Sequence, residues 1–348
     1  MIDFQVSSEI ENSLKGEKKM TSVDLRTETS RYKSYGRVYP NEKGLNIDFA
    51  GSGIELEVEC EGDIFIRYTC EASVYFQIFV DKEAVLRPPT EVGEGLSLKI
   101  AEGLCRGEHN IRIIRDSDAG KIGEAMAISE VSFVGDKSTL RAPVDKDYLI
   151  EFVGDSITAG KFTEMQYVEG EAIHKATNSY AYLTAEELDC DFSIVARGGC
   201  GFFRISTCPK TMTQLYPYYN GFVKEPLGFK PKRRANLVVL ALGTNDSSEN
   251  VKESIERGLT SFTGMEDALS DLIGKARKMH GENVRIVLLH GMMSSAWRTE
   301  IEKVAKEQGV YFLNVTKNSE GGRDHPSAEG HRVIASELCE YIKKTILV

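Results

Sequence analysis

The stretch YLIEFVGDSIT (148–158) decides the fold, because it joins an apolar run of strand length to a Gly-Asp-Ser turn. Four more apolar runs of this kind follow along the chain, at FSIVA (192–196), ANLVVLALG (235–243), NVRIVLLHG (283–291) and VYFLNV (310–315). Nearly continuous apolar strands are expected where helices cover both faces of a parallel sheet. The pattern predicts a flavodoxin-like domain of three layers, built on a parallel five-stranded sheet, over residues 148–348.

Helices are predicted between these strands, because apolar residues recur there at spacings of three and four. One such stripe comprises Met265, Leu269, Leu272, Ile273 and Ala276. Asn178 or Ser179 is the expected cap of an earlier helix. A last helix is predicted from about Ala328 to Lys343, with Ser327 as its cap.

The chain ahead of this domain has a different pattern. Short alternating runs separated by Gly, Asp and Asn extend from about Tyr35 to Val134, as in LNIDFAG (45–51), IELEVE (54–59) and HNIRIIRD (109–116). Alternation of apolar and polar residues is typical of strands with one buried face. We therefore predict an all-β sandwich domain at 35–137 and a linker at 138–147. Residues 1–34 are interpreted as an N-terminal arm, either mobile or packed as a strand on the other domain.

Length and charge limit the classes of function. A chain of 348 residues favours about two domains. Its formal net charge is −10, whereas phosphate binding needs clustered Lys and Arg, so no nucleic-acid partner is expected. An acidic surface also disfavours anionic membranes, and the sequence has no run of about 18 apolar residues that would span one. A neutral partner such as a sugar is compatible with this charge.

Two further features bear on the cellular compartment. The N-terminal stretch MIDFQVSSEIENSLKGEKKM (1–20) lacks the apolar core of a signal peptide. The seven cysteines, an odd number without CxxC spacing, argue against a disulfide framework and against a zinc site. We therefore expect a cytoplasmic protein with reduced thiols. A signal peptide removed ahead of this sequence would instead predict secretion.

Residues able to do chemistry follow the predicted strands. Ser156 comes after the first strand, at the edge where open α/β sheets bind ligands, although a Ser here could equally cap a helix. Asn245 follows the third strand in LGTND (242–246), and its amide could donate to an oxyanion or only form an Asx-turn. The glycines of ARGGCG (196–201) let the backbone approach a ligand, or form a simple loop.

A histidine follows the last strand, in RDHPSAEGH (323–331). His325 precedes a Pro, which biases its backbone to an extended conformation and would present the imidazole at the sheet edge. His331 lies inside the predicted helix and is interpreted as structural. Each of these residues alone has an ordinary explanation, but together they follow different strands of one sheet and indicate a common site.

At these places the sequence resembles the GDSL/SGNH hydrolase superfamily, from Tyr148 to the end of the chain. The matching residues are Ser156 in GDSIT (154–158), Gly199 in GGCG (198–201), Asn245 in GTND (243–246) and His325 in DHPS (324–327). The resemblance implies a serine nucleophile at Ser156 with His325 as its base. It also implies an oxyanion hole formed by the backbone of Ser156 and Gly199 and the side chain of Asn245.

The β-rich part narrows the resemblance further. A β domain ahead of an SGNH domain is similar to carbohydrate esterase family 2, the acetylxylan esterase type. YGRVYP (35–40), FAGSGIELEVE (49–59) and GEHNIRIIRD (107–116) resemble the jelly-roll domain of that family. Members remove acetyl groups from xylan, mannan and related oligosaccharides. The resemblance therefore implies an acetylated carbohydrate as the partner and no metal or cofactor, and it leaves the oligomeric state open.

One position departs from the superfamily pattern. An Asp usually lies three residues before the His, but here that position is Gly322, and Asp324 is adjacent to His325 instead. Neighbouring side chains of an extended segment point to opposite sides. Asp324 is therefore a candidate third catalytic residue, while the favoured alternative is a Ser–His dyad in which a backbone carbonyl near Asp324 orients the imidazole.

Two aromatic residues are candidates for sugar binding. Trp297 follows the loop GMMSSA (291–296), and Tyr216 lies in LYPYYNG (215–221) after the second motif. Either could stack on a sugar face, and either could be an ordinary core or surface residue.

The competing hypotheses for the function are a lipase or thioesterase acting on another small acyl ester, a non-catalytic carbohydrate-binding protein, and a flavodoxin-like nucleotide binder. The last would need a phosphate loop such as GxxxxGK, which the sequence lacks after the first strand.

Overall fold

The computed structural model describes residues 19–118, 126–163, 174–203, 208–246, 264–293 and 297–347. An antiparallel β part precedes an α/β part. The strands of the β part are β1 (Met20–Asp24), β2 (Lys33–Tyr35), β3 (Val38–Asn41), β4 (Gly44–Ile47), β5 (Gly53–Cys70), β6 (Phe76–Val80), β7 (Glu83–Leu86), β8 (Gly93–Arg115) and β9 (Met126–Gly135). Among the described residues, no helix has the length and apolar character that crossing a membrane requires.

The β part is a sandwich built from one long, bent sheet. Its strand order is β3-β4-β9-β5-β8-β6-β7, with β1 paired to β9 and β2 paired to β5. Register shifts between Cys60 and Phe65 interrupt the pairing of β5 with β8, and such bulges bend the strands that carry them. The two halves enclose a single apolar core that includes Val23, Leu56, Ile66, Ile113 and Phe133. The predicted all-β sandwich is confirmed.

The α/β part has the predicted parallel sheet. Its strands are β10 (Leu149–Gly154), β11 (Asp191–Ala196), β12 (Leu237–Ala241), β13 (Arg285–His290) and β14 (Tyr311–Asn314). They are hydrogen-bonded in the order β11-β10-β12-β13-β14, and every pair is parallel. This order is that of a flavodoxin-like sheet, in which the first strand lies beside both the second and the third.

Helices cover both faces of this sheet. They are α1 (Tyr180–Glu187), α2 (Met212–Leu215), α3 (Met265–His280), α4 (Arg298–Gln308) and α5 (Ala328–Thr345). Residues of α1 and α5 pack on one face of the sheet, and residues of α2, α3 and α4 pack on the other. The hydroxyls of Ser179 and Ser327 cap α1 and α5, as predicted. The apolar stripe from Met265 to Ala276 is buried in α3.

The stretches predicted as an N-terminal arm and a linker contain residues that pair with the β sandwich. β1 and the start of β2 lie within residues 1–34, the range interpreted as an N-terminal arm, and these strands pair with β9 and β5. In the range 138–147 interpreted as a linker, Arg141 pairs its backbone with Glu57. Both stretches therefore belong structurally to the β sandwich from Met20 onward, and the division into domains stays a prediction.

A buried polar network joins the two parts. Arg37, fully buried, donates from Nη1 to the carbonyls of Tyr216 (2.7 Å) and Tyr218 (3.0 Å). Its Nη2 lies 3.6 Å from a carboxylate oxygen of Glu151, in the middle of β10. Buried charges persist only when they are paired and hydrogen-bonded, so this contact holds the β sandwich against the parallel sheet.

We expect Arg37→Ala to lower the free energy of unfolding by about 3–5 kcal/mol, because it removes the guanidinium charge paired with the buried Glu151 carboxylate. Urea unfolding followed by circular dichroism measures this change. Arg26→Ala is the matched control, since Arg26 forms an exposed ion pair with Asp24 that should contribute less than about 1 kcal/mol. If both variants lose the same free energy of unfolding, the buried contact contributes no more than an exposed ion pair.

Candidate active site

Ser156 lies just beyond the carboxyl end of β10, in a tight turn. Gly154 closes that turn, because a Cβ at this position would lie 1.9 Å from Oγ1 of Thr158 and 2.9 Å from the carbonyl oxygen of Ala241. The Oγ of Ser156 is 2.8 Å from Nε2 of His325. The structure therefore brings together the two residues predicted as nucleophile and base, although the chain separates them widely.

The imidazole of His325 is held from both sides. Its Nδ1 lies 2.9 Å from the carbonyl oxygen of Arg323, and its ring packs against Phe162 at 4.8 Å between centroids. His325 itself has the extended backbone expected before a Pro, with φ −79° and ψ 162°. Since the carbonyl accepts a hydrogen bond, Nδ1 carries the proton and Nε2 keeps its lone pair toward Ser156.

Asp324 does not take the place of the usual carboxylate. Its side chain is exposed, and the acceptor that faces Nδ1 is the Arg323 carbonyl one residue earlier. Arg323 and Asp324 both have left-handed backbones, with φ 53° and 60°. This conformation turns the carbonyl toward the ring of His325 and the Asp324 side chain toward solvent. The prediction of Asp324 as a third catalytic residue is corrected accordingly.

The environment of His325 favours its neutral form. Burial lowers the pKa of His325, and the nearby charge of Lys161 lowers it further, while the hydrogen bond to the Arg323 carbonyl acts in the opposite direction. A neutral imidazole at neutral pH can accept a proton, as a general base must.

The loops after β11 and β12 meet the Ser156 turn. Gly199 lies after β11 with a left-handed φ of 72°. Asn245, after β12, donates from Nδ2 to Oδ2 of Asp155 (3.2 Å) and to the carbonyl of Cys200 (3.3 Å). All three predicted oxyanion residues therefore belong to loops that touch one another at one edge of the sheet.

Two buried acids next to the motif residues organise these loops. Burial raises the pKa of the Asp155 carboxyl to about 7, and the charge of Asp246 adds to the rise. Asp246 accepts hydrogen bonds from the backbone N–H groups of Phe202 and Phe203, both at 3.1 Å. Sequence reasoning did not assign these roles, although both acids lie within the motifs GDSIT and GTND.

The β sandwich also reaches the site, through Asp118. This buried carboxylate accepts from the backbone N–H of Gly198 at 3.0 Å, immediately before Gly199. It also pairs with Lys161 (2.8 Å) and Arg197 (2.9 Å). Burial alone would raise the pKa of Asp118, but Arg197 and Lys161 hold it below its usual range. No sequence signal pointed to Asp118, because it lies in the other part of the chain.

The two aromatic candidates have different positions. Trp297 is half-buried just before α4, where its Nε1 donates to the carbonyl of Asp246 and its ring packs edge-on against Phe203 at 5.9 Å. It is thus bound to the loop that carries Asn245, and its contact with substrate stays a prediction. Part of the preceding loop, 294–296, lies outside the described residues.

Tyr216 does not line a substrate cleft. It is fully buried, and its hydroxyl donates to Oε1 of Glu151 at 2.6 Å. The guanidinium of Arg37 lies over its ring, 5.1 Å from the centroid. No ring face is left for a sugar, so the prediction of Tyr216 as a substrate-binding residue is corrected. Its role is to help hold the two parts of the protein together.

Known proteins are similar to this chain in sequence. Residues 152–333 match the model of the GDSL-like lipase/acylhydrolase family. Cellulase/esterase CelE of Acetivibrio thermocellus is 27% identical over 344 residues, which cover 88% of this chain but only 38% of that protein. The acetylxylan esterase / glucomannan deacetylase of Cellvibrio japonicus is 23% identical over 330 residues, covering 89% of this chain and 87% of that protein.

Solved structures share both parts of the fold. A family two carbohydrate esterase from Cellvibrio japonicus matches with a TM-score of 0.78 at 18% identity, over 94% of this chain and 98% of that one. A family two carbohydrate esterase from Clostridium thermocellum, in complex with cellohexaose, matches with a TM-score of 0.74 at 24% identity, over 90% and 99% of the two chains. These structures confirm the predicted fold, a jelly roll followed by an SGNH domain. Together with the family match and the curated relatives, they confirm the predicted resemblance.

Activity should depend on pH through the protonation of His325. Because burial and the charge of Lys161 lower the pKa of His325 from 6.5, kcat/KM for a small ester should reach half its plateau below pH 6.5. Lys161→Met removes a positive charge that opposes protonation, so the midpoint should move to higher pH. Lys99→Met, at an exposed ion pair with Glu102, is the control and should leave the midpoint unchanged. A midpoint above pH 6.5 in the unaltered protein would contradict this view.

Removal of the Asp118 carboxylate should affect turnover more than substrate binding. Asp118→Ala should lower kcat by roughly 10- to 100-fold with little change in KM, because the backbone at Gly198 loses its acceptor and the reacting groups shift. Asp118→Asn keeps an oxygen for that N–H and should recover part of the loss. Steady-state kinetics, at a temperature where circular dichroism shows each variant folded, measures both.

The control for Asp118 is Asp63→Ala, which removes an exposed carboxylate paired with Lys99 in the same β part. Its kcat should match that of the unaltered protein. If Asp118→Ala and Asp63→Ala give equal kcat values, Asp118 does not position the site.

Proposed function

We propose that this chain, which belongs to the GDSL-like lipase/acylhydrolase family, is a serine esterase that removes O-acetyl groups from hemicellulose-type carbohydrates such as xylan and mannan. The observation that carries the proposal is the 2.8 Å contact between Ser156 Oγ and His325 Nε2 at the carboxyl edge of the sheet. The substrate class is supported by the acetylxylan esterase / glucomannan deacetylase that resembles this chain over most of both lengths.

In the proposed reaction, Ser156 Oγ attacks the acetyl carbonyl while His325 Nε2 takes its proton. The Arg323 carbonyl keeps the second proton of the ring on Nδ1 and so holds the imidazole in the reactive orientation. The imidazolium then protonates the sugar oxygen as it leaves, and an acetyl-serine remains. Water, activated by the same histidine, releases acetate and restores Ser156.

The developing oxyanion is met by the backbone N–H groups of Ser156 and Gly199 and by the amide of Asn245. Asn245 donates to Asp155 and to the Cys200 carbonyl. We propose that the oxyanion of the substrate replaces the Cys200 carbonyl as acceptor, while the hydrogen bond to Asp155 keeps the amide in place. Loss of one such donor typically lowers turnover by ~10²–10³. Trp297, half-buried beside the Asn245 loop, is proposed to contact the sugar ring.

The test is acetate release from acetylated xylan and acetylated glucomannan. Ser156→Ala should abolish release without altering the circular dichroism spectrum, and Asn245→Ala should lower kcat by ~10²–10³. Ser97→Ala, an exposed serine of the β part, is the matched control and should be fully active.

Two outcomes would overturn the proposal at different levels. Turnover by Ser156→Ala would show that Ser156 is not the nucleophile. Hydrolysis of a chromogenic acetyl ester without any acetate from the polysaccharides would keep the esterase chemistry and reject the carbohydrate substrate.

A further inference from the structure

A cavity of about 350 Å³ lies between the β part and the α/β part, away from the catalytic edge. It is lined by Leu149 and Asp191, the first residues of β10 and β11, so it sits at the amino edge of the parallel sheet. Ser156 follows the opposite end of β10, roughly 20 Å away at ~3.3 Å per residue of strand. We call this space the interdomain cavity. Its volume falls within the roughly 300–1,000 Å³ of ordinary ligand pockets.

Aromatic side chains from both parts of the protein form its walls. Tyr32 comes from the β part, while Tyr219 and Phe229 come from the loop after α2. Tyr219 and Phe229 pack edge to face, with centroids 4.9 Å apart, which fixes their orientation. The guanidinium of Arg37 already covers one face of Phe229, 3.7 Å from the ring centroid, so Phe229 mainly fixes Tyr219. The rings of Tyr32 and Tyr219 offer the flat apolar surfaces on which the face of a sugar ring packs.

A fixed ion-pair set supplies the polar part of the lining. The carboxylate of Asp191 lies 2.5 Å from Lys33 Nζ and 2.7 Å from Arg233 Nη1. Lys33 and Asp191 are almost fully buried, so these groups are held in place before any ligand arrives. Cationic donors beside a carboxylate acceptor match neighbouring hydroxyls, each of which both donates and accepts a hydrogen bond.

The charge of the lining is positive although the chain is acidic. The cations are Lys33, Lys230, Lys232 and Arg233, and the carboxylates are Asp145, Glu151 and Asp191. Glu151 is already held by Arg37 and Tyr216 behind the wall and by His280, which itself lines the cavity. Lys232 is exposed at the rim, with its Nζ 5.7 Å from the centre of the Tyr32 ring. The excess of positive charge favours a ligand that carries a negative charge.

We propose that the interdomain cavity is a second, non-catalytic site for a sugar unit that carries a carboxylate, such as a uronic acid residue. The aromatic walls receive the ring, the Asp191 set receives its hydroxyls, and Lys230 and Lys232 receive the carboxylate. The choice of a sugar rests on the proposed function, since an acidic branch of the same polysaccharide could be held here while acetyl groups are removed at the opposite edge.

Isothermal titration calorimetry tests the proposal on the intact protein. The probes are a xylo-oligosaccharide that carries one uronic acid and no acetyl group, the neutral xylo-oligosaccharide of the same length, and inorganic sulfate. The acidic sugar should bind roughly tenfold more tightly than the neutral one, the difference expected for one charge-assisted hydrogen bond. Equal affinity for the two sugars, no binding of the acidic sugar, or equal binding of sulfate would each overturn the proposal.

Charge reversal locates the site. Lys230→Glu/Lys232→Glu should weaken binding of the acidic sugar by roughly tenfold or more and leave turnover of a small acetyl ester unchanged. Lys224→Glu/Lys306→Glu makes the same change in net charge at exposed lysines outside the cavity, and it should bind normally. Equal losses in both pairs would place the ligand elsewhere. The binding probe has no ester, so its affinity does not depend on esterase activity. If the acidic sugar binds but no acetate is released from acetylated polysaccharides, only the proposed function is contradicted.

Discussion

Parallel strands end at the same edge of their sheet, and this constraint places the proposed nucleophile and the proposed oxyanion groups. Ser156 follows β10, Gly199 follows β11 and Asn245 follows β12, which are neighbours in the sheet. Hydrogen bonds through Asp155 then connect the first and third of these loops. The geometry therefore arises from the order of the strands, and the buried acids refine it.

The β sandwich is part of the same construction. Asp118 reaches from its surface into the loop that carries Gly199, and Arg37 joins it to the middle of β10. Each contact depends on a buried charge that is paired, Arg37 with Glu151 and Asp118 with Arg197. Removing one partner of such a buried pair is strongly destabilising. The α/β part is thus shaped on two sides by a neighbour that contains neither Ser156 nor His325, the residues proposed as nucleophile and base.

The sequence predicted the parts of the structure that follow from local pattern. The five apolar runs predicted the parallel sheet, and the residues after them predicted the approach of His325 to Ser156. Tyr216 was misjudged because a loop rich in tyrosine looks exposed, whereas the packing of Arg37 over its ring depends on a distant strand. Asp118 carried no signal for the same reason, since its partners lie on the far side of the domain junction.

The orienting group of His325 is a main-chain oxygen, and this has an evolutionary consequence. Every residue type has a carbonyl, so the identity of residue 323 can drift without erasing the acceptor, provided that the left-handed turn survives. Side-chain replacement scans would therefore overlook this acceptor. The acceptor would be lost instead through insertions, deletions or residues that resist a positive φ. In natural variants, the length of this loop should therefore indicate whether the acceptor is kept, whereas the identity of residue 323 should not.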